Sequence, residues 1–217
     1  MNQLIFKFPF KTNYFEEDFY VSTNNFSAYK LIESWPKWSG RYINIFGPSG
    51  CGKTHLANIF KKKINSFFIK ASEIKNNSLP AIKIKECLII DDYKNNIEEK
   101  LFYSILNQSH QSNQYVIVNS IDPMKTSAIK LEDLKSRFDS FIDIRINLPT
   151  DDLIRVILTK NFSDKQVKIE SKLLEYILKN IHRSYDDIFD LIEKVDSLSL
   201  STGKSININL IKKALKK

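Results

Sequence analysis

At 217 residues, 42% of them hydrophobic and only five glycine, the chain has the apolar material for a globular core: one α/β domain and a smaller appendage. Two cysteines, one in a glycine-rich turn and one opening an apolar run, make no disulfide framework and suit reduced thiols in a cytoplasmic protein. The formal charge of +8 is scattered, with runs only at Lys61-Lys62-Lys63 and among Lys212, Lys213, Lys216 and Lys217, so it reads as solvated helix faces more than as a nucleic-acid stripe.

The first stretch, Gln3-Leu4-Ile5-Phe6-Lys7-Phe8, is too short and too interrupted for a signal peptide or a membrane span. Extended, it puts Leu4, Phe6 and Phe8 on one face. That face is either an edge strand packed on the domain or a linear peptide that docks into a partner's groove. Tyr14 to Phe26 mixes aromatics with acids, and Phe19, Tyr20 and Val21 are candidates for an adenine contact or for ordinary core. Ser27 to Trp35 reads as a helix ended by Pro36.

Next comes the most informative block. The apolar run Tyr42 to Phe46 leads into GPSGCGKT, Gly47 to Thr54, which fills the pattern G-x-x-x-x-G-K-[ST] at every fixed position; a glycine-free helical stretch, His55 to Ile64, follows. Strand, glycine loop and helix in that order turn backbone N–H groups and a helix N-terminus onto a polyphosphate. The binding set is Gly47, Pro48, Ser49, Gly50, Cys51, Gly52, Lys53, Thr54 and His55. Lys53 would reach the β- and γ-phosphates of ADP or ATP, and the Thr54 hydroxyl would bind Mg²⁺.

Phe67 to Lys70 is predicted as a second strand and Cys87 to Ile90 as a third that ends in Asp91-Asp92. A strand that delivers a carboxylate at its C-terminal end is what a Mg²⁺-nucleotide site needs, so Asp91 is the metal candidate and Asp92 a candidate to orient an attacking water. Paired aspartates also make turns. Ile97 to Ser112 has helical spacing, and Tyr115 to Val118 a fourth strand ending in Asn119-Ser120, where Asn119 either meets a γ-phosphate and its water or closes a turn. Leu131 to Phe138 is a short charged helix, and Phe141 to Ile146 a fifth strand. Arg137 makes either a surface ion pair or an arginine finger toward a neighbour's phosphates. Thr150 is an N-cap candidate, and Asp151 to Asn161, Ser171 to Ile181, Tyr185 to Ser197 and Ile208 to Leu215 are helices of an all-α appendage.

GPSGCGKTHL (47–56), LIIDDY (88–93), VNS (118–120) and LKSRF (134–138), with the helical tail in order, resemble the AAA+ class of P-loop proteins and, within it, the bacterial initiator DnaA and the shortened relatives of the Hda family. The resemblance covers about residues 14–217. It implies an α/β fold, an AAA+ P-loop NTPase with a five-stranded parallel sheet flanked by helices and a small C-terminal all-α lid. The expected division is 1–10 clamp-binding peptide, 11–148 P-loop domain and 149–217 lid. Initiators continue into a helix-turn-helix domain, for which this chain, ending at Lys217, leaves no room.

In the Hda family an N-terminal peptide of the form Q-L-x-[LF]-x-[LF] docks on the sliding clamp, and Gln3, Leu4, Phe6 and Phe8 fit it. The resemblance therefore implies a negative regulator of replication initiation: nucleotide-bound, tethered to the DNA polymerase III sliding clamp (beta), reaching DNA through the clamp, and stimulating ATP hydrolysis by DnaA through Arg137 in trans. A homo-oligomer and no membrane contact complete the expected partners. One departure concerns the lid, where the arginine usually aimed at the phosphates falls on Asp186, with Arg183 a helical turn earlier. An acid there implies weak or no intrinsic hydrolysis. The rivals are a helicase-loader-type ATPase on single-stranded DNA, mildly supported by the basic charge, and a small-metabolite P-loop kinase.

Overall fold

Runs such as Leu88-Ile89-Ile90 and Val116-Ile117-Val118 carry apolar side chains on both faces, so they can be satisfied only in a sheet covered on both sides, the usual state of parallel strands. A computed structural model describes residues 14–165, 167, 169–203 and 205–215. In it β1 (Tyr42–Phe46), β2 (Ser66–Lys70), β3 (Cys87–Tyr93), β4 (Tyr115–Ser120) and β5 (Ile142–Arg145) form one parallel sheet in the order β2-β3-β4-β1-β5. Residues alternate along each strand. Leu88, Ile90, Val116 and Val118 face α4 (Glu99–Gln111) and α5 (Glu132–Asp139), packing with Phe102, Ile105, Leu134 and Phe138. The ring of Phe102 meets Tyr93 at 5.2 Å and Phe138 at 5.4 Å, pairs worth roughly 0.5–1.5 kcal/mol each beyond their buried area. Ile43, Ile45, Ile89 and Ile117, on alternate positions, are equally buried, and α1 (Phe26–Ser34) and α2 (Lys53–Lys61) pack on the sheet.

The strand order decides what the site can be. β4 is inserted between β1 and β3, so the loop after β1, the Asn119 end of β4 and the Asp91 end of β3 are delivered side by side. Two details differ from the pattern. β3 runs on through both aspartates to Tyr93, with a register shift against β4 between Ile90 and Tyr93. Between β2 and β3 two 3₁₀ turns (71–73 and 76–78) precede a five-residue helix, α3 (Leu79–Lys83). Its anchor is the buried side chain of Gln114, whose Nε2 donates to the carbonyls of Ile82 (2.8 Å) and Lys85 (2.7 Å) while its Oε1 accepts from the Ser109 hydroxyl (2.6 Å). One glutamine at a strand start carries no periodicity, which is why that helix was not legible.

The described residues divide into two compact units, 14–147 and 148–215. The second is all helix: α6 (Asp151–Asp164), α7 (Ser171–Asn180), α8 (Tyr185–Thr202) and α9 (Ile208–Leu215). The Thr150 hydroxyl accepts from Leu153 N at 3.3 Å, capping α6 as its sequence position suggests, and Ser184 caps α8 through Asp187 N. α8 extends five residues beyond the expected Ser197, to Thr202, and stops only where Gly203 takes a left-handed conformation (φ 63°). Ile154, Leu158, Phe162, Ile177, Ile188, Leu191, Val195 and Ile211 make the core of this unit. Among the described residues no helix is long and apolar enough to cross a membrane.

Candidate nucleotide site

The loop is held open by backbone that only glycine can adopt. At Gly47 (φ 155°) a β-carbon would come within 2.4 Å of the Ile146 carbonyl oxygen, and at Gly52 (φ 98°) within 3.0 Å of the Phe19 ring. Gly47 N donates to the Ser120 carbonyl at 3.3 Å, which ties the loop's entry to the end of β4. The chain then enters α2 at Lys53, two residues earlier than the apolar pattern alone marks, because Gly52 in its left-handed conformation serves as the N-cap. Lys53 Nζ is gripped by the carbonyls of Gly47 (2.7 Å) and Pro48 (2.8 Å), so a cation sits at the loop itself. Cys51 is buried beneath it, its Sγ 3.7 Å from Lys53 Nζ. Burial pushes its thiol pKa up, and the nearby ammonium only partly offsets that.

Thr54 and Asp91 meet directly. The Thr54 hydroxyl lies 2.8 Å from Asp91 Oδ2 and 3.1 Å from Oδ1, and Asn119 Nδ2 donates to Asp91 Oδ1 at 2.7 Å. Asp91 is 4% exposed and Asn119 fully buried. A carboxylate only accepts, so this bond orients the amide and leaves Asn119 Oδ1 buried with no partner. An orphaned buried acceptor beside a buried carboxylate and a hydroxyl fits a Mg²⁺-nucleotide, since Mg²⁺ takes one or two protein oxygens and fills its shell with phosphate oxygens and water, whose protons the amide oxygen can accept. No cluster of three or more His, Cys, Asp or Glu suited to a self-contained metal cage occurs among the described residues.

Asp92 goes the other way. Its backbone is left-handed (φ 57°), its side chain is exposed, and it pairs with Lys94 at 2.9 Å. Strand alternation turns Asp91 inward to Thr54, on the face of Ile89, and the shift in register puts Asp92 out of the ladder, outward to a lysine. His55 is placed against the segment ahead of α1: its Nε2 lies 2.6 Å from the Phe15 carbonyl, with the rings of Tyr14 and Phe19 edge-on at 5.4 and 5.3 Å. Of the adenine candidates, Phe19 is stacked on Tyr29, Tyr20 is exposed and Val21 half-buried. Asn25, which the sequence reading passed over, clasps this turn: its Nδ2 donates to the Tyr20 carbonyl (2.9 Å) and its Oδ1 accepts from Ser22 N (2.8 Å). Its signal was an Asn just ahead of a helix, shared by many turns.

Arg137, on α5, is half-buried and donates from Nη2 to Asn107 Oδ1 at 3.0 Å, an amide rather than a carboxylate. Arg183 forks onto Asp151 (2.8 and 3.2 Å) at the start of α6, within the helical unit. Asp186 lies exposed in the first turn of α8. Gln3, Leu4, Phe6 and Phe8 lie outside the described residues.

Sheet order, glycine loop and strand-end carboxylate together define the AAA+ class of P-loop folds. Within it, the fold is most informatively set beside DnaA. The structure of domain III of DnaA from Thermotoga maritima superposes with a TM-score of 0.75 at 21% identity, covering 97% of this chain and all of that one. A structure of DnaA bound to AMPPCP and single-stranded DNA gives 0.67 at 20% identity, over 88% of this chain and 66% of that one. In sequence, DnaA of Buchnera aphidicola subsp. Baizongia pistaciae is 28% identical over 99% of this chain and 53% of its own length. A family model described as RNA helicase matches residues 43–142. The chain is similar in fold and sequence to the AAA+ domain of DnaA, and it spans about half the length of the curated relatives it matches.

Proposed function

We propose that this protein binds ADP or ATP at Gly47–His55 and acts as a negative regulator of replication initiation of the Hda kind. The observation that carries the nucleotide reading is the buried Asp91 carboxylate, shared between Thr54 and Asn119 at the mouth of a loop that holds a lysine. On this reading Lys53 would turn from its loop carbonyls to the phosphates, and Thr54 and Asp91 are the residues that would hold Mg²⁺, which would supply neutralisation of phosphate charge. Asn119 Oδ1 would be the group that orients a water; Asp92, turned outward onto Lys94, is left out of that role. Asp186 in place of a lid arginine supports slow intrinsic hydrolysis, so the bound nucleotide serves assembly.

The catalytic contribution to a partner is Arg137, offered to ATP on the DnaA initiator, where an added guanidinium accelerates cleavage by roughly 10³ to 10⁵. The peptide Gln3, Leu4, Phe6, Phe8 supplies the tether to the sliding clamp. The decisive experiment mixes this protein with initiator, DNA-loaded clamp and ATP. Hydrolysis should rise, fall back to the initiator's own rate with Arg137→Ala, and lose its dependence on the clamp with Gln3, Leu4 and Phe6 changed to alanine. Equal stimulation by Arg137→Ala would overturn the trans role. The alternative, a helicase-loader-type ATPase, is favoured by the +8 charge and would be identified by tight single-strand binding without clamp affinity.

A further inference from the structure

Three elements converge on one ring outside the phosphate-binding chemistry. Phe19 lies flat on Tyr29 of α1 (centroids 5.9 Å apart, planes at 11°) and meets His55 of α2 edge-on at 5.3 Å. Its Cε2 edge occupies the space directly over Gly52, where a β-carbon would be only 3.0 Å away. The strand of chain that carries the ring is itself fastened to α2, by His55 Nε2 to the Phe15 carbonyl (2.6 Å) and by Lys62 Nζ donating to the Tyr14 carbonyl (3.1 Å). On its other side Asn25 clasps the turn from Tyr20 to Ser22. The half-buried phenyl ring thus has one face toward Tyr29 and its edges against His55 and the loop, contacts that tie it to the phosphate end of the site.

Gly52 needs such a neighbour. At φ 98° it has no side chain to hold that conformation, and glycine visits both signs of φ with nearly equal ease. The two residues that follow, Lys53 and Thr54, are the ones whose placement matters most to phosphate and metal. We propose that Phe19 is a positioning residue of the phosphate loop: wedged between Tyr29 and His55, it presses on Gly52 and fixes the backbone that launches Lys53 and Thr54. This deepens the nucleotide reading and rests on it. It assigns to Phe19 a role distinct from adenine contact, because it acts at the phosphate end of the site.

The test uses Phe19→Leu in the full chain, with ADP and with inorganic tripolyphosphate, which has no base, as calorimetric probes. Both affinities should fall by about tenfold, the equivalent of losing two aromatic contacts. In parallel, the thiol of Cys51, 5% exposed in the loop, should react faster with an aromatic disulfide reagent, while Cys87, fully buried in β3, should keep its rate. A fall for ADP alone would assign Phe19 to the base and overturn the proposal. So would unchanged affinities with an unchanged Cys51 rate, or both thiols accelerating together, which is the mark of general loosening. Phe19→Met, whose unbranched side chain adapts more readily to the gap, is read in the same way if the leucine variant does not fold. Wild-type protein that binds neither probe would sink the nucleotide reading itself, and the two thiol rates would still judge Phe19.

Discussion

The two units bury different chemistry. Among the described residues the buried amides, carboxylate and serine hydroxyls, Asn24, Asn25, Asn44, Asp91, Ser109, Gln114, Asn119 and Ser120, all lie in residues 14–147, whereas the helical unit buries aliphatic and aromatic side chains and keeps its ion pairs at the surface. Burying a polar group without a partner costs a few kcal/mol, so a region that hides eight must either satisfy each one or use it. Most are satisfied structurally. Asn44, for instance, donates to the Val118 carbonyl and Ser120 Oγ and accepts from Met124 N, which stitches β1 to β4. Asn119 is the exception, with one atom left over, and it is the one beside Asp91. Trp35 Nε1, Ser66 Oγ and Asp143 Oδ1 are buried without partners as well, so what marks the site is an orphaned acceptor beside a buried carboxylate and a hydroxyl.

The contrast can be broken in four ways. The largest effect belongs to the helical unit: Phe162→Ala should remove about 3–5 kcal/mol from its unfolding free energy, measured by denaturant titration, because Phe162 is 1% exposed in an apolar core with no polar group to compensate. A loss below about 1 kcal/mol would mean that this core is looser than its packing.

Next come the neighbouring carboxylates. Asp91→Ala should cost about 1–3 kcal/mol by leaving the Thr54 hydroxyl and Asn119 amide without their acceptor, and should abolish the Mg²⁺-dependent part of ADP affinity. Asp92→Ala, which breaks only an exposed pair with Lys94, should change stability by about 0–1 kcal/mol. Equal costs for the two would erase the distinction between them.

A smaller effect is expected at Asp143 on β5. Burial raises its carboxyl pKa, opposed by the charge of Lys125 and a bond from Met124 N, and its Oδ1 has no partner. A carboxyl whose folded pKa is raised stabilises the fold below the unfolded value, near 3.8, and that contribution is lost as pH rises through the folded one. Asp143→Asn should therefore flatten the fall in melting temperature as pH climbs from about 4. A steeper fall in the variant would refute the assignment.

Smallest is the surface fork. Arg183 lowers the Asp151 pKa, first through its hydrogen bond, so the pair stabilises above the unfolded pKa and its contribution disappears as pH falls through the folded one. Asp151→Asn should lower the melting temperature slightly at neutral pH and not at all in strong acid, and the difference should shrink when salt screens it. A salt-independent difference would point to packing instead.

How much of this was legible depends on the range of each interaction. The phosphate loop, the strand runs before Asp91 and Asn119, the Thr150 cap and the helices of the tail are each specified within a few residues, and the five-stranded sheet with its flanking helices follows from their alternation. Boundaries slipped where a single conformation decided them, as at Gly52, where α2 begins early, and at Gly203, where α8 ends late. The small helix α3 escaped because its anchor, Gln114, is about thirty residues away along the chain.

By itself the chain's order of residues determined that a glycine loop launches a helix, that carboxylate and amide stand at strand ends, and that a helical appendage follows, since these are contacts between near neighbours. Only the tertiary structure decided that β4 lies between β1 and β3, so that Asn119 reaches Asp91, and that a shift in register takes Asp92 out of the ladder to solvent. The same holds for Phe19 over Gly52. These join residues about thirty positions apart or, for β1 with β4, more than twice that, and which strand pairs with which is settled by the whole sheet burying both faces at once, a condition no local pattern carries.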